Sequence, residues 1–199
     1  LLDTEPTVKD RPDAREMPPV VGRVALEHVS FQYRDDAPEV LHDVCLTIEP
    51  GQTVALVGPT GAGKTSIGNL IARFYDATQG LVSIDGIDVR EVRQVSLRRQ
   101  AGLVPQDPFL FTGTIADNIR FGRLEASDKD VAEAARVANA HEFIGALPDG
   151  YQTRIQEGGV NLSVGQRQLV CIARAILADP RLLILDEAHM YRGARGAEV

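Results

Sequence analysis

Eight consecutive residues, Gly58-Pro59-Thr60-Gly61-Ala62-Gly63-Lys64-Thr65, carry the spacing G-x-x-x-x-G-K-[ST], and the chemistry that spacing serves is the holding of a polyphosphate. A triphosphate brings several negative charges. A helix start answers them with unpaired backbone N–H groups and the positive end of its dipole. Glycines let the backbone curl close to the phosphates with no side chain in the way. Lys64 is then placed to reach the β and γ phosphates and the Thr65 hydroxyl to hold Mg²⁺, with Ser66 continuing the same nucleotide-contacting run. A second candidate pair, Asp186-Glu187, follows Leu182-Leu183-Ile184-Leu185. Asp186 would hold Mg²⁺ opposite Thr65, directly or through water, and Glu187 would polarise an attacking water. Each motif alone has a plain reading, a strand-to-helix turn or an exposed turn after a strand. Together they point to a nucleotide triphosphatase core.

These residues need particular elements beneath them. Thr53-Val54-Ala55-Leu56-Val57 is short, apolar and ends at a glycine, which predicts a strand leading into the loop. Ile67, Leu70, Ile71 and Phe74 recur at i, i+3, i+4 and i+7, one face of the helix that should follow. Ser163-Val164-Gly165-Gln166 reads as an S-x-x-Q capping box opening a helix whose apolar face is Leu169, Val170, Ile172, Ala173, Ile176 and Leu177. Asp179-Pro180 stops that helix. The run 182–185 has four apolar residues without alternation, which predicts a strand buried on both faces of a parallel sheet, with Asp186 and Glu187 at the carboxyl end where such sheets place ligands.

The rest of the chain frames this core. Residues 1–21 are rich in proline and charge and read as a linker. Val24 and Leu26 alternate, then Val29, Phe31 and Tyr33 alternate one step out of phase, predicting a bulge or two short strands. Val40, Val44, Leu46 and Ile48 mark a half-buried strand closed by Pro50-Gly51. Short strands are expected at 81–84 and near Leu103-Val104. Between them and Ser163 lie helices at 114–121, 128–138 and 141–147, with Ser127 and Asp130 capping the second. The chain has 199 residues, 44% hydrophobic and 25% charged, with a net charge of −7. That is ordinary globular composition, and its acidity argues against tracking a nucleic-acid backbone. Cys45 and Cys171 read as buried thiols of a reducing compartment, and His28, His42 and His141, with no metal-ligand spacing, as structural. No apolar run approaches the roughly 20 residues that cross a bilayer, and the opening residues carry no secretory signal.

Leu162-Ser163-Val164-Gly165-Gln166-Arg167-Gln168 resembles the signature motif of ABC proteins, with Val164 where glycine is usual. Gln106 resembles the family's Q-loop glutamine and Tyr33 its adenine-stacking aromatic. Glu157-Gly158-Gly159 and the phrase from Pro105 to Ile115 are similar to those of ABC exporters of the multidrug and lipid type. The likeness covers residues 24–188. It implies an α/β fold: a RecA-like P-loop NTPase core with a mainly parallel sheet, an N-terminal antiparallel β subdomain and an α-helical subdomain at about 107–165. It also implies a linker at 1–23 from a membrane domain. Tyr33 would stack on adenine, 58–66 would hold the phosphates, and Ser163, Gly165 and Gln166 would bind the γ-phosphate of an ATP held by a second ABC ATP-binding domain, identical or different. Gln106 would contact the metal or attacking water, alongside Lys64 and Glu187 in catalysis and Thr65 and Asp186 at Mg²⁺. The partners implied are that second domain and an exporter's transmembrane domain, with no nucleic acid, at the cytoplasmic face of a membrane. Phe109, Leu110 and Phe111 would dock a transmembrane loop or, equally, fill a core.

The tail 189–199, from His189 to Val199, departs from the family pattern, which continues with a D-loop aspartate, another strand and a later switch histidine. It reads as an atypical segment following truncation or a reading-frame break, leaving the fold C-terminally incomplete. Losing one preorganised transition-state contact costs about 10²–10³ in rate, so ATP binding with slow or no hydrolysis is the alternative to a working transport ATPase. A soluble ABC ATPase of DNA maintenance fits less well, given the acidic balance, Tyr33 and the absence of a long coiled-coil insertion between Lys64 and Ser163.

Overall fold

The computed structural model describes residues 8–186, which fall into two compact units divided at Ala101/Gly102. The first unit is built on β1 (Val24–Phe31), β2 (Leu41–Ile48), α1 (Lys64–Ile71), β3 (Gln79–Ile84), β4 (Ile87–Asp88) and α2 (Gln94–Arg98). Its strands form one antiparallel sheet in the order β2-β1-β3-β4. Val24, Leu26, Val29 and Phe31 are buried, with Val82 and Ile84 from β3. The phase break expected in β1 is a bulge: Leu26 pairs with Leu46 and Val29 with Val44, so Glu27 and His28 together face Cys45. The extra residue restores Val29 and Phe31 to the core side. Gly80 lets β3 pass beneath, since a Cβ there would lie 2.2 Å from the His28 carbonyl oxygen.

Three expectations for this unit are corrected. Thr53-Val54-Ala55-Leu56-Val57 forms no strand, and Val57 is 93% exposed. A strand exists only through ladder bonds to a neighbour, and none of the described residues pairs with this segment. Cys45 is exposed rather than buried, because it alternates outward on β2. Phe74 lies beyond the end of α1 and is 41% exposed, its ring covered by the Arg98 guanidinium at 4.4 Å. Along 8–23 the proline-rich segment is docked: Val8, Ala14, Met17 and Val20 are buried, the Met17 amide donates to Ser96 Oγ and the Val20 amide to Gln100 Oε1.

The second unit contains β5 (Ala101–Val104), whose first residue is the boundary residue of the first unit, β6 (Gly113–Thr114), α3 (Ile115–Arg120), α4 (Asp128–Val137), α5 (His141–Gly145), β7 (Arg154–Ile155), α6 (Val164–Leu177) and β8 (Leu182–Leu185). The expected helical run is present, and α3 and α4 both pack on α6. Val131, Ala134 and Ala135 give α4 its buried face at i, i+3 and i+4. Capping boxes open α3 (Thr114/Asp117), α4 (Ser127/Asp130) and α6 (Ser163/Gln166). Hydrogen bonds from Thr114 hold the Asp117 carboxyl below its ordinary range, and bonds from Ser127 do the same for Asp130. Thr114-Ile115-Ala116-Asp117 has the same spacing and the same closing aspartate as the box at Ser127, and sequence reasoning missed it. β8 pairs with β5, and Leu183 is 45% exposed. The expectation that 182–185 is buried on both faces is therefore corrected: β5 is the one neighbour of β8 among the described residues.

Asn118, fully buried on α3, is the polar hub of this unit. Its Nδ2 donates to the carbonyls of Phe111 and Thr114, and its Oδ1 accepts from the Phe111 amide and Arg174 Nη2. Arg174 Nε donates to the Asn118 carbonyl. Asn118→Leu is expected to lower unfolding free energy by at least about 2 kcal/mol in urea titration, because each orphaned buried group costs roughly 1–3 kcal/mol.

Candidate nucleotide-binding site

The glycine loop is exposed from Gly58 to Ala62. Gly61 and Gly63 both take φ 85°, a left-handed conformation that glycine reaches at little cost. At Gly63 a side chain is also excluded by packing, as a Cβ would lie 2.5 Å from Leu41 Cδ2 and 3.2 Å from the Val40 carbonyl. Gly63 is the N-cap of α1 and supplies no side-chain cap. The helix start that should meet phosphate is thus left open, whereas the starts of α3, α4 and α6 are closed by their own side chains. Lys64 Nζ donates to the carbonyls of Gly58 (2.9 Å) and Pro59 (3.0 Å), so its ammonium is folded over the loop it serves. Thr65 is exposed and Ser66 buried.

Tyr33 stands beside this helix. Its hydroxyl shares a 2.8 Å hydrogen bond with Ser66 Oγ, and its ring meets Phe31 at 4.8 Å and Tyr75 at 5.0 Å, both edge-on. The ring is 41% exposed, which leaves aromatic surface for a base to cover. Tyr75, the third member of this cluster, was missed in sequence because it falls outside every periodic run.

In the second unit Gln106 lies on the exposed turn after β5. Asp186 directly follows β8, its amide donating to the Val104 carbonyl at 2.9 Å. Glu187 and the tail from 189 lie outside the described residues. Ser163 is exposed at the start of α6, but its donors are less bare than expected. Its amide donates to Gln166 Oε1, and its Oγ accepts from the Gln166 amide. By helix geometry the amides of Val164 and Gly165 precede the first intrahelical donor, and Val164 is 61% exposed. Glu157–Gly159 forms a turn in which Gly158 and Gly159 both take left-handed backbone, φ 69° and 70°.

The aromatic phrase divides. Leu110 is fully buried, while Phe109 and Phe111 are 57% and 43% exposed and meet edge-on at 5.0 Å. Beside them opens a crevice of about 270 Å³ lined by Leu103, Pro105, Phe109, Phe121, Cys171 and Arg174. Burial pushes the Cys171 thiol up and holds the Arg174 guanidinium below its usual value. Arg174 Nη1 donates to the Phe109 carbonyl at 3.2 Å, fixing the rim.

The profile of the ABC transporter family matches residues 41–190. The chain belongs to that family. It is 51% identical over 188 residues to a fatty acid ABC transporter ATP-binding/permease protein of Mycobacterium tuberculosis, covering 94% of this chain and 29% of that one. It is 51% identical over 179 residues to a putative multidrug export ATP-binding/permease protein of Bacillus subtilis, covering 90% and 31%. In three dimensions it matches a bacterial Atm1-family ABC exporter with ATP bound, with TM-score 0.91 and 42% identity over 98% of this chain and 34% of that one. This ABC domain thus has the nucleotide-binding fold of exporters and spans about a third of the length of these relatives. Among the described residues no helix is long and apolar enough to cross a membrane. The open helix start at Gly63, its two left-handed glycines and Lys64 fit a triphosphate: they offer backbone amides and one compact cation.

Proposed function

We propose that this domain is the ATP-binding and hydrolysing part of an exporter, working at the cytoplasmic face of a membrane as one of two ABC domains that close on ATP. The observation that carries the reading is the uncapped start of α1 beneath Lys64. Residues 58–66 hold the phosphates, Lys64 moving from its own loop carbonyls onto them. Tyr33 covers the adenine. Thr65 and Asp186, with Gln106, are the groups that would hold Mg²⁺, whose chemistry is to neutralise charge developing between the β and γ oxygens. Glu187 would accept the proton of the attacking water. Across the interface the Ser163 hydroxyl and the Val164 and Gly165 amides meet the γ-phosphate of the partner's ATP. Phe109 and Phe111, exposed beside the crevice, suit a transmembrane loop pressing on this surface.

The test is sedimentation of the full chain carrying Glu187→Gln, with ATP and Mg²⁺. ATP is expected to convert monomer to dimer, and adding Gly165→Glu, which sets a negative charge where the γ-phosphate would lie, should abolish the dimer while each monomer still binds ATP. A dimer that survives Gly165→Glu overturns the two-domain site. A second reading, ATP binding without efficient turnover, is favoured by the segment 53–57, which forms no strand and has no ladder partner among the described residues, so the loop it leads into is held less firmly. Phosphate release as fast as that of an intact exporter would overturn it.

A further inference from the structure

The bulge in β1 does more than restore the register of the core. In a regular strand the residues after Leu26 would alternate, and His28 would turn inward with Leu26. The bulge instead leaves Glu27 and His28 both exposed, opposite Cys45. On β2, Asp43 and Cys45 are two apart and both point outward. Three side chains of different ligand type are therefore gathered on one exposed face. His28 Nδ1 lies 2.7 Å from Asp43 Oδ1, and the His28 amide donates to Cys45 Sγ at 3.4 Å, fixing the direction of the sulfur. One ligand atom from each residue lies within 4.8 Å of the other two. Leu26, Glu27, His28, Cys45, Leu46 and Thr47 border an open hollow of about 440 Å³.

The backbone is committed to this arrangement. His28 and Asp43 both adopt positive φ, 51° and 49°, in a region that L-residues enter seldom. The Ser30 hydroxyl accepts the Asp43 amide at 3.1 Å. Gly80 lies against the His28 carbonyl, as described above. None of the three side chains belongs to the nucleotide site.

We propose that His28, Asp43 and Cys45 form a binding site for a borderline-soft divalent cation of the zinc class, with imidazole Nδ1, one carboxylate oxygen and a thiolate as ligands and water at the fourth position. In a tetrahedral site of these ligands the donor atoms stand about 3.3–3.6 Å apart, given metal–ligand lengths of roughly 2.0–2.3 Å. The His28–Asp43 pair opens by less than an ångström to admit the ion, and the thiol closes by about an ångström, movements available to exposed side chains in a roomy hollow. The thiolate selects against Mg²⁺ and Ca²⁺, which require oxygen ligands. An open fourth position on a rigid sheet would let the ion take a ligand from another molecule. This inference is independent of the ATPase reading.

The experiment is a Co²⁺ titration of the full chain, without nucleotide, followed by the thiolate-to-cobalt charge-transfer band and the visible bands of tetrahedral cobalt. One equivalent is expected to bind, Zn²⁺ to displace it and Mg²⁺ not to compete. Cys45→Ser should remove the charge-transfer band. His28→Ala and Asp43→Asn should each weaken binding by at least about tenfold, the scale seen when even supporting groups of a metal site are lost. Cys171→Ser and His189→Ala should leave the titration unchanged. Circular dichroism identical to the parent's confirms that each variant is folded. No band in the parent chain, a band persisting in Cys45→Ser, or an affinity unmoved by His28→Ala would overturn the proposal.

Discussion

Lys64→Ala is expected to reduce the affinity of the chain for MgATP by about 10–100-fold with no loss of folding. A hydrogen bond to a charged partner contributes about 1.5–3 kcal/mol, and each 1.4 kcal/mol is a factor of ten in affinity. The ammonium now rests on the carbonyls of Gly58 and Pro59, neutral acceptors on an exposed loop, so little is lost when it transfers to phosphate. Those two carbonyls face solvent in the variant and find water, which is why stability should hold. Lys64→Arg keeps the charge but replaces a compact ammonium by a planar fork, and should restore only part of the affinity. Calorimetric titration with MgATP reads the effect directly. Binding within twofold of the parent would mean that the phosphates lie elsewhere.

Arg73→Ala is expected to cost about 3 kcal/mol of stability and to release the N-terminal segment. Arg73 is only 1% exposed. It follows the C-cap of α1 with φ 52°, which turns its side chain under the proline-rich strap. Its guanidinium donates to the Val92 carbonyl at 2.6 Å, to the Lys9 carbonyl at 3.2 Å, to Asp76 Oδ1 at 3.1 Å and to Asp10 Oδ1 at 3.3 Å. The two aspartates are about a third exposed, so the ion pairs are partly screened and add little. The larger cost comes from the stranded Val92 carbonyl and the cavity left by the side chain. Arg73→Met fills the volume without the donors and should fall between. Urea unfolding gives the magnitude, and limited proteolysis near Lys9, Arg11 and Arg15 reports the strap. A loss under about 1 kcal/mol with unchanged proteolysis would show that the strap is held by its buried apolar residues and its bonds to Ser96 and Gln100, without Arg73.

Features whose causes lie within a few residues were legible in the sequence. The boxes at Ser127 and Ser163 are closed between residues three apart, and both form as read. The phosphate loop needs left-handed glycines and a helix immediately after, and its own residues supply both. The bulge showed itself as a phase slip from Leu26 to Val29, because a shift in register reverses which side chains face the core. The family followed from motifs whose order along the chain is itself sequence information.

What tertiary structure alone decided has its cause far along the chain. Thr53 to Val57 has strand composition, but composition supplies no neighbour, and among the described residues none pairs with it. The segment 8–23 lacks any periodicity, yet Arg73, Ser96 and Gln100 supply the donors and acceptors that hold it, more than 60 positions away. Leu110 is buried while Phe109 and Phe111 are not, although the three are chemically alike, because Asn118 and Arg174 fix the backbone between them. His28, Asp43 and Cys45 carry no motif spacing, and pairing β1 with β2 across a bulge is what brings their ligand atoms together. Local chemistry is written residue by residue, whereas burial and convergence are properties of pairs, and a pair is fixed only when the chain has folded.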